Sequence, residues 1–235
     1  DSTTYLASRP APERIARLAP RCRLIALLRD PIQRAWSHYW HGVATGRATQ
    51  SFERTLRDRP GNILRRGFYA EQLERYLRYV PQEQLKVLIF EEFIRDPQRI
   101  TDEVCAFLGL PGSVDLANVD IHRNAARAPL SLRARLLLNA TLRPLVAKSY
   151  HRKIPFMPGY QPDSVTARVE RHPWFRKAAD RFEDLRPRRR YPPMQEDTRA
   201  FLAGVFRRRN AALPELLGRE LTAWWPWMGK DGTGA

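Results

Sequence analysis

Residues 24–41 read LIALLRDPIQRAWSHYWH, and the fold turns on how this stretch is parsed. Leu24-Ile25-Ala26-Leu27-Leu28 is an apolar run with the length and the bounds of a buried strand. Arg29-Asp30-Pro31 ends the run and opens a helix. The Asp30 carboxylate suits the N-cap because it can accept the amide hydrogens of the first turn. Pro31 suits the first helical position because its missing N–H costs nothing there. A strand, a tight turn and a helix are therefore expected. Ligands of an open α/β sheet bind beyond the carboxyl ends of its strands, so Arg29 beside helix amides is placed for an anion, with a phosphate as the natural guest. Ser37 presents its hydroxyl about two turns along that helix. An ordinary β-turn-α junction, with a solvent arginine and a mid-helix serine, fits the same residues.

Toward the N-terminus, Pro12 to Leu18 reads as a short helix with Ile15 and Leu18 on one packing face, preceded by the polar DSTTYL of residues 1–6. Toward the C-terminus, Gly42 to Pro60 is polar and irregular. It reads as a loop of the kind that covers a substrate, with a short helix near Phe52 to Leu56. Tyr69, Leu73, Tyr76 and Val80 then fall at helical spacing and stop at Pro81. Leu85 to Phe90, LKVLIF, is a second strand, parallel to the first because a whole helix separates them. Asp96-Pro97 repeats the helix start, and Ile100, Val104, Phe107 and Leu108 form a stripe that Gly109 closes. Alternating helices and strands of this kind predict an α/β sheet.

Beyond Leu110 the strand signals fade. Ser131 to Lys148 reads as a basic helix with Leu132, Leu136, Leu137 and Leu145, its charge suited to an anionic surface or, more simply, to a solvated face. Residues 150–186 carry no sustained period. RPRRRYPP at 186–193 is a second basic concentration, followed by a helix over about 195–210 with Phe201, Val205 and Phe206 as its apolar side. Glu196 and Asp197 in its first turn and Arg207 to Arg209 in its last match the helix dipole. Trp224, Trp225 and Trp227 are expected to clamp the tail onto the core, and residues 230–235 to form a disordered tail.

Length and charge bound the rest. A chain of 235 residues is most simply one domain or most of one. Its 41 Lys and Arg against 25 Asp and Glu, a formal charge of +16, favour an anionic partner: a nucleotide, a sulfated or acidic glycan, an acidic membrane surface or nucleic acid. Cys22 and Cys105 form no C-x-x-C and have no zinc-ligand neighbours, so neither a disulfide framework nor a metal is expected. No run is long and apolar enough for a transmembrane segment, and no signal-peptide pattern opens the chain; a cytoplasmic location is the expectation. The first residue is Asp1 rather than Met, as in a piece of something longer.

LLRDPIQRAWSHYW resembles the sulfotransferases that use 3'-phosphoadenosine 5'-phosphosulfate as donor, the bacterial and carbohydrate types including the heparan sulfate enzymes. In that family a strand ends in Leu-Arg-Asp-Pro or Leu-Arg-Asn-Pro, followed by x-x-Arg-Ala-x-Ser-x-Tyr. GFYAEQLERYL resembles the family's Gly-x-Tyr-x-x-x-Leu helix, and VLIFEEFIRDPQRITDEVCAFLGL its strand, acidic turn and Phe-Leu-Gly helix. DSTTYL resembles its segment ahead of the Arg-Asp-Pro unit. RRRYPPM, with the final helix and ELLGREL, resembles its closing segment.

The resemblance implies a P-loop-NTPase-like fold, a parallel sheet flanked by helices, over residues 1–229. It implies that Arg29 and Ser37 bind the 3'-phosphate of the donor, and that Arg189 and Tyr191 belong to a loop covering it. A charge-assisted arginine contact plus a hydroxyl suits a phosphate dianion. The family's first strand and phosphosulfate-binding Gly-Thr-Thr turn have no counterpart in the chain, and the catalytic carboxylate or His would precede Asp1. The chain then represents roughly the C-terminal two-thirds of such a domain, with no catalytic residue assigned within it. His38 and His41, three apart on one helix, read as surface or packing residues.

The implied reaction moves a sulfuryl group to a hydroxyl or amine of an acceptor, a carbohydrate or glycolipid or another small molecule, without a metal. Two other readings are a non-catalytic sulfotransferase-like domain and a basic module for nucleic acid or an acidic surface. The latter lacks a helix-turn-helix or stacking aromatics beside base-reading residues, so nucleic acid is not the expected partner.

Overall fold

The run 24–28 forms β1 (Leu24–Leu28), and LKVLI forms β2 (Leu85–Ile89). They pair in parallel, Leu24 opposite Leu85 through Leu28 opposite Ile89. Between them the chain supplies the connection that parallel strands need: α2 (Pro31–Ala44), α3 (Phe52–Asp58), α4 (Gly61–Arg65) and α5 (Tyr69–Leu77). Ahead of β1 lies α1 (Ala11–Leu18). After β2 come α6 (Phe90–Arg95), α7 (Pro97–Leu108), α8 (Leu132–His151), α9 (Glu196–Arg209) and α10 (Leu213–Leu217). The computed structural model describes residues 5–111, 115, 116, 129, 131–151 and 191–229. The chain forms two compact units. The first is Asp1–Ala35, Arg59–His122 and Met194–Ala235; the second is Trp36–Asp58 and Arg123–Pro193.

The first unit holds the small α/β sheet. Ala26 and Leu28 alternate onto the same face as Ile89 and pack against Tyr69, Ala70 and Leu73 of α5 and against Leu213, Leu221 and Trp225. Trp224 and Trp227 pack partly buried on the same cluster, so the tryptophans do hold the C-terminal segment to the core. The other face of β1 differs from the buried strand expected: Ile25 is 43% and Leu27 50% exposed. A parallel strand covered on one face alone shows the period of two that its uniformly apolar sequence conceals.

Helix starts and stops follow their local signals. Asp30 Oδ1 accepts from Ile32 N at 2.8 Å, and Asp96 Oδ1 from Arg99 N at 3.1 Å. Gly109, at φ 72°, takes the left-handed conformation that ends α7. Stripes were less legible. In α9 the buried residues are Thr198, Leu202 and Phe206, while Phe201 is 56% exposed. In α1 they are Ala11 and Pro12, with Leu18 exposed. Adjacent apolar residues such as Phe201 and Leu202 point about 100° apart on a helix, and the packing partner decides which turns inward.

In the second unit Tyr39, Trp40, Val43, Phe52 and Leu56 are buried. The Trp36 ring lies 4.9 Å from Phe52 and 5.4 Å from Trp40, edge to face in both pairs. Here α2 runs through Gly42 to Ala44, beyond the expected break. Its last carbonyls find partners on α8: Arg135 donates to Val43 O at 3.2 Å and Ala44 O at 2.7 Å, and Asn139 to Val43 O at 3.1 Å. This face of α8 is therefore not simply solvated. Its inward residue is Asn139, while Leu137 and Leu138 are exposed. Among the described residues, no helix is long and apolar enough to cross a membrane, and both cysteines are free.

Candidate functional site

Arg29 stands where β1 ends, and the backbone around it is fixed from several sides. The Tyr69 hydroxyl donates to Arg29 O at 2.8 Å. The next amide, Asp30 N, donates to Glu91 Oε1 at 3.0 Å, and Trp225 Nε1 donates to Glu91 Oε2 at 3.2 Å. Arg29 is half-buried, its guanidinium Cζ 5.2 Å from the centroid of the Phe90 ring. Such stacking holds the group's plane while leaving its N–H edges available.

The first-turn amides of α2 are a different matter from what the sequence suggests. Asp30 is buried and its carboxyl takes Ile32 N, so that amide is not open to a ligand. Burial pushes the Asp30 carboxyl above its ordinary value, with Glu91 adding to the rise and the Ile32 and Gln33 amides opposing it. An anion at this turn has the Arg29 side chain as its first ligand.

Tyr69, Arg34 and Gly67 lie in the family patterns quoted above, whereas Asn210 carries no signal of its own. Tyr69 is fully buried, which raises its phenol to about 12 and keeps it a neutral donor. Its position is set by Asn210 at the end of α9: Oδ1 accepts from Tyr69 N at 2.8 Å and Ala70 N at 3.2 Å, while Nδ2 donates to Gly67 O at 2.9 Å. Arg34 donates to Ile63 O, and burial pulls its guanidinium below the ordinary arginine value. Gly67 explains the glycine of the Gly-x-Tyr pattern. A Cβ there would lie 2.7 Å from Phe206 Cε1 and 2.9 Å from Pro31 Cβ, closer than carbon atoms approach. The patterns Gly67-x-Tyr69 and Glu91-Glu92 marked the right segments, but nothing local indicated that they meet Arg29.

Ser37 lies half-buried on α2 and belongs to the second unit, whereas Arg29 belongs to the first. Tyr191, also of the second unit, stacks on Trp40 with centroids 5.0 Å apart and planes at 13°; Trp36 Nε1 donates to Pro192 O at 3.2 Å. The Tyr-Pro segment is thus docked on the aromatic residues of the helix that carries Ser37. Arg189 lies outside the described residues. His38 is half-buried and His41 exposed near the end of α2. Among the described residues, no group of three or more His, Cys, Asp or Glu could hold a metal ion.

The family described as "Sulfotransferase domain" matches residues 8–127, a span that includes Arg29, Ser37, Tyr69 and Glu91 and stops before Arg189 and Tyr191. The human bifunctional heparan sulfate N-deacetylase/N-sulfotransferase 3 is 27% identical over 245 residues, covering 95% of this chain and 23% of that protein. The mouse heparan sulfate glucosamine 3-O-sulfotransferase 3B1 is 33% identical over 115 residues, 46% of this chain and 30% of that protein. The chain therefore spans less than a third of the length of these relatives. A solved sulfotransferase from Alicyclobacillus acidocaldarius superposes with a TM-score of 0.60 at 23% identity, over 95% of this chain and 66% of that one, which shows a shared fold.

Proposed function

Because the chain belongs to the sulfotransferase domain family, we propose that it binds 3'-phosphoadenosine 5'-phosphosulfate and serves the transfer of its sulfuryl group to a glycan hydroxyl or amine. The observation that carries this reading is Arg29 at the carboxyl end of β1, its backbone held by Tyr69 and Glu91 and its guanidinium set on Phe90. A guanidinium on a fixed backbone binds a phosphate dianion through paired N–H donors. Ser37 supplies a hydroxyl donor to the same 3'-phosphate in this reading. The family resemblance makes Arg189 and Tyr191 the further donor-binding candidates of this reading, and Tyr191 is set on Trp40.

The chemistry of the donor set fits the nucleotide, since arginine and hydroxyl groups recognise phosphate without a metal. The glycan acceptor is supported by the names of the relatives, which are heparan sulfate sulfotransferases, and by the formal charge of +16. No residue of this chain is assigned as the base that deprotonates the acceptor. The test is a thermal-shift comparison. Adenosine 3',5'-bisphosphate should raise the melting temperature more than adenosine 5'-phosphate at equal concentration, and Arg29→Ala should erase the difference. Equal shifts for the two nucleotides in the unmodified chain reject the reading.

A further inference from the structure

We infer that Tyr69 and Glu91 are positioning residues for recognition of the 3'-phosphate, acting through the backbone of Arg29 and Asp30 rather than touching the nucleotide; this rests on the donor reading above. The peptide group that joins Arg29 to Asp30 is bonded at both ends. Its carbonyl, Arg29 O, accepts from the Tyr69 hydroxyl at 2.8 Å, and its amide, Asp30 N, donates to Glu91 Oε1 at 3.0 Å. A peptide group whose C=O and N–H are both tied cannot rotate about the adjacent φ and ψ without breaking one of the bonds. The direction in which the Arg29 side chain leaves the backbone is then fixed.

Each clamp is itself braced from elsewhere in the chain. Asn210 holds Tyr69 N and Ala70 N, and Trp225 Nε1 holds Glu91 Oε2 at 3.2 Å. The clamp therefore draws on α5, on α6, on the end of α9 and on the C-terminal tryptophan segment, all within the first unit. The Tyr69 phenol, fully buried, has Arg29 O as its hydrogen-bond acceptor, and Glu91 divides its two oxygens between a backbone amide and an indole. Neither group is arranged as a ligand for the nucleotide. Both are arranged to hold the turn. Placement within about half an ångström is what distinguishes a preorganised anion site from a surface arginine, and outer residues of this kind supply it.

The conservative variants separate positioning from folding. Tyr69→Phe keeps the ring and its packing and removes the hydroxyl alone. Glu91→Gln keeps an oxygen acceptor for Asp30 N, and Glu91→Ala does not. The measured quantity is the ratio of dissociation constants for adenosine 5'-phosphate and adenosine 3',5'-bisphosphate in the 235-residue chain, by calorimetry, alongside the melting temperature without nucleotide. The expected result is a several-fold fall in that ratio for Tyr69→Phe and Glu91→Ala, with adenosine 5'-phosphate bound as before, and a smaller fall in Glu91→Gln, which keeps the acceptor for Asp30 N and loses the one for Trp225 Nε1. A loss of stability alone would move both dissociation constants together and leave the ratio unchanged. If Arg29→Ala collapses the ratio while Tyr69→Phe and Glu91→Ala keep it, positioning is refuted and the donor reading stands. If the unmodified chain shows no preference for the bisphosphate, or binds neither nucleotide, the donor reading falls and this inference with it.

Discussion

Arg29 and Asp30 are neighbours with opposite charges and separate tasks. Arg29 is half-buried against Phe90, while Asp30 is buried and spends its carboxylate on the start of α2. Because the guanidinium offers a planar fork and an ammonium does not, Arg29→Lys should keep the overall attraction for nucleotide but lose most of the preference for a 3'-phosphate, measured as the same pair of dissociation constants. Asp30 yields a pH prediction. Burial raises its pKa above the ordinary 3.8, so folding takes up a proton between that value and the folded one. Its contribution to stability is fully present below the unfolded pKa and is lost as pH rises through the folded pKa. Asp30→Asn keeps an oxygen for Ile32 N and has no charge to bury, so its urea stability relative to the unmodified chain should rise as pH is raised above 3.8 through the folded carboxyl's titration. A difference that stays flat over that interval would mean that the carboxylate is fully compensated by its hydrogen bonds.

At the scale of elements, the region is held by side chains that finish helix ends belonging to other segments. Asn210, at the close of α9, supplies the start of α5 with an acceptor for two amides and a donor for Gly67 O. Asn210→Ala would leave those buried groups bare, at a cost of about 3 kcal/mol in chemical denaturation. Gly67→Ala should cost about 1–3 kcal/mol by the same measurement, because the new methyl meets Phe206 and the ring of Pro31, the first residue of α2. In the second unit Asn139 does comparable work, donating to Val43 O and, at 2.8 Å, to Ala48 O. Asn139→Leu, which suits the apolar character of its neighbours in sequence, should destabilise where a leucine stripe would have predicted a gain. A neutral outcome would show that water replaces the amide.

For the molecule as a whole, charge and site make separable predictions. The formal charge of +16 attracts any polyanion, and binding to a DNA duplex of arbitrary sequence should weaken steeply as salt is raised. Discrimination of the bisphosphate from adenosine 5'-phosphate should survive at salt concentrations that abolish DNA binding, because a half-buried arginine is screened less than surface ones. Loss of both together would mean that the charge alone governs binding. What the sequence by itself determined were the features written within a few consecutive residues. These include the strand and turn at 24–31, the caps at Asp30, Asp96 and Gly109, the second strand, and the family pattern that includes Arg29 and Ser37. Each depends on backbone preferences or on neighbours one helical turn away, and so is legible locally. Tertiary structure alone decided that Leu202 rather than Phe201 turns inward and that β1 is covered on one face. It also decided that Tyr69, 40 positions from Arg29, and Glu91, 61 positions from Asp30, close on the same peptide group. Such contacts join elements distant in sequence and arise only when those elements pack, so no local pattern encodes them. That is why Arg29 could be picked out from the chain, while the clamp that holds it could not.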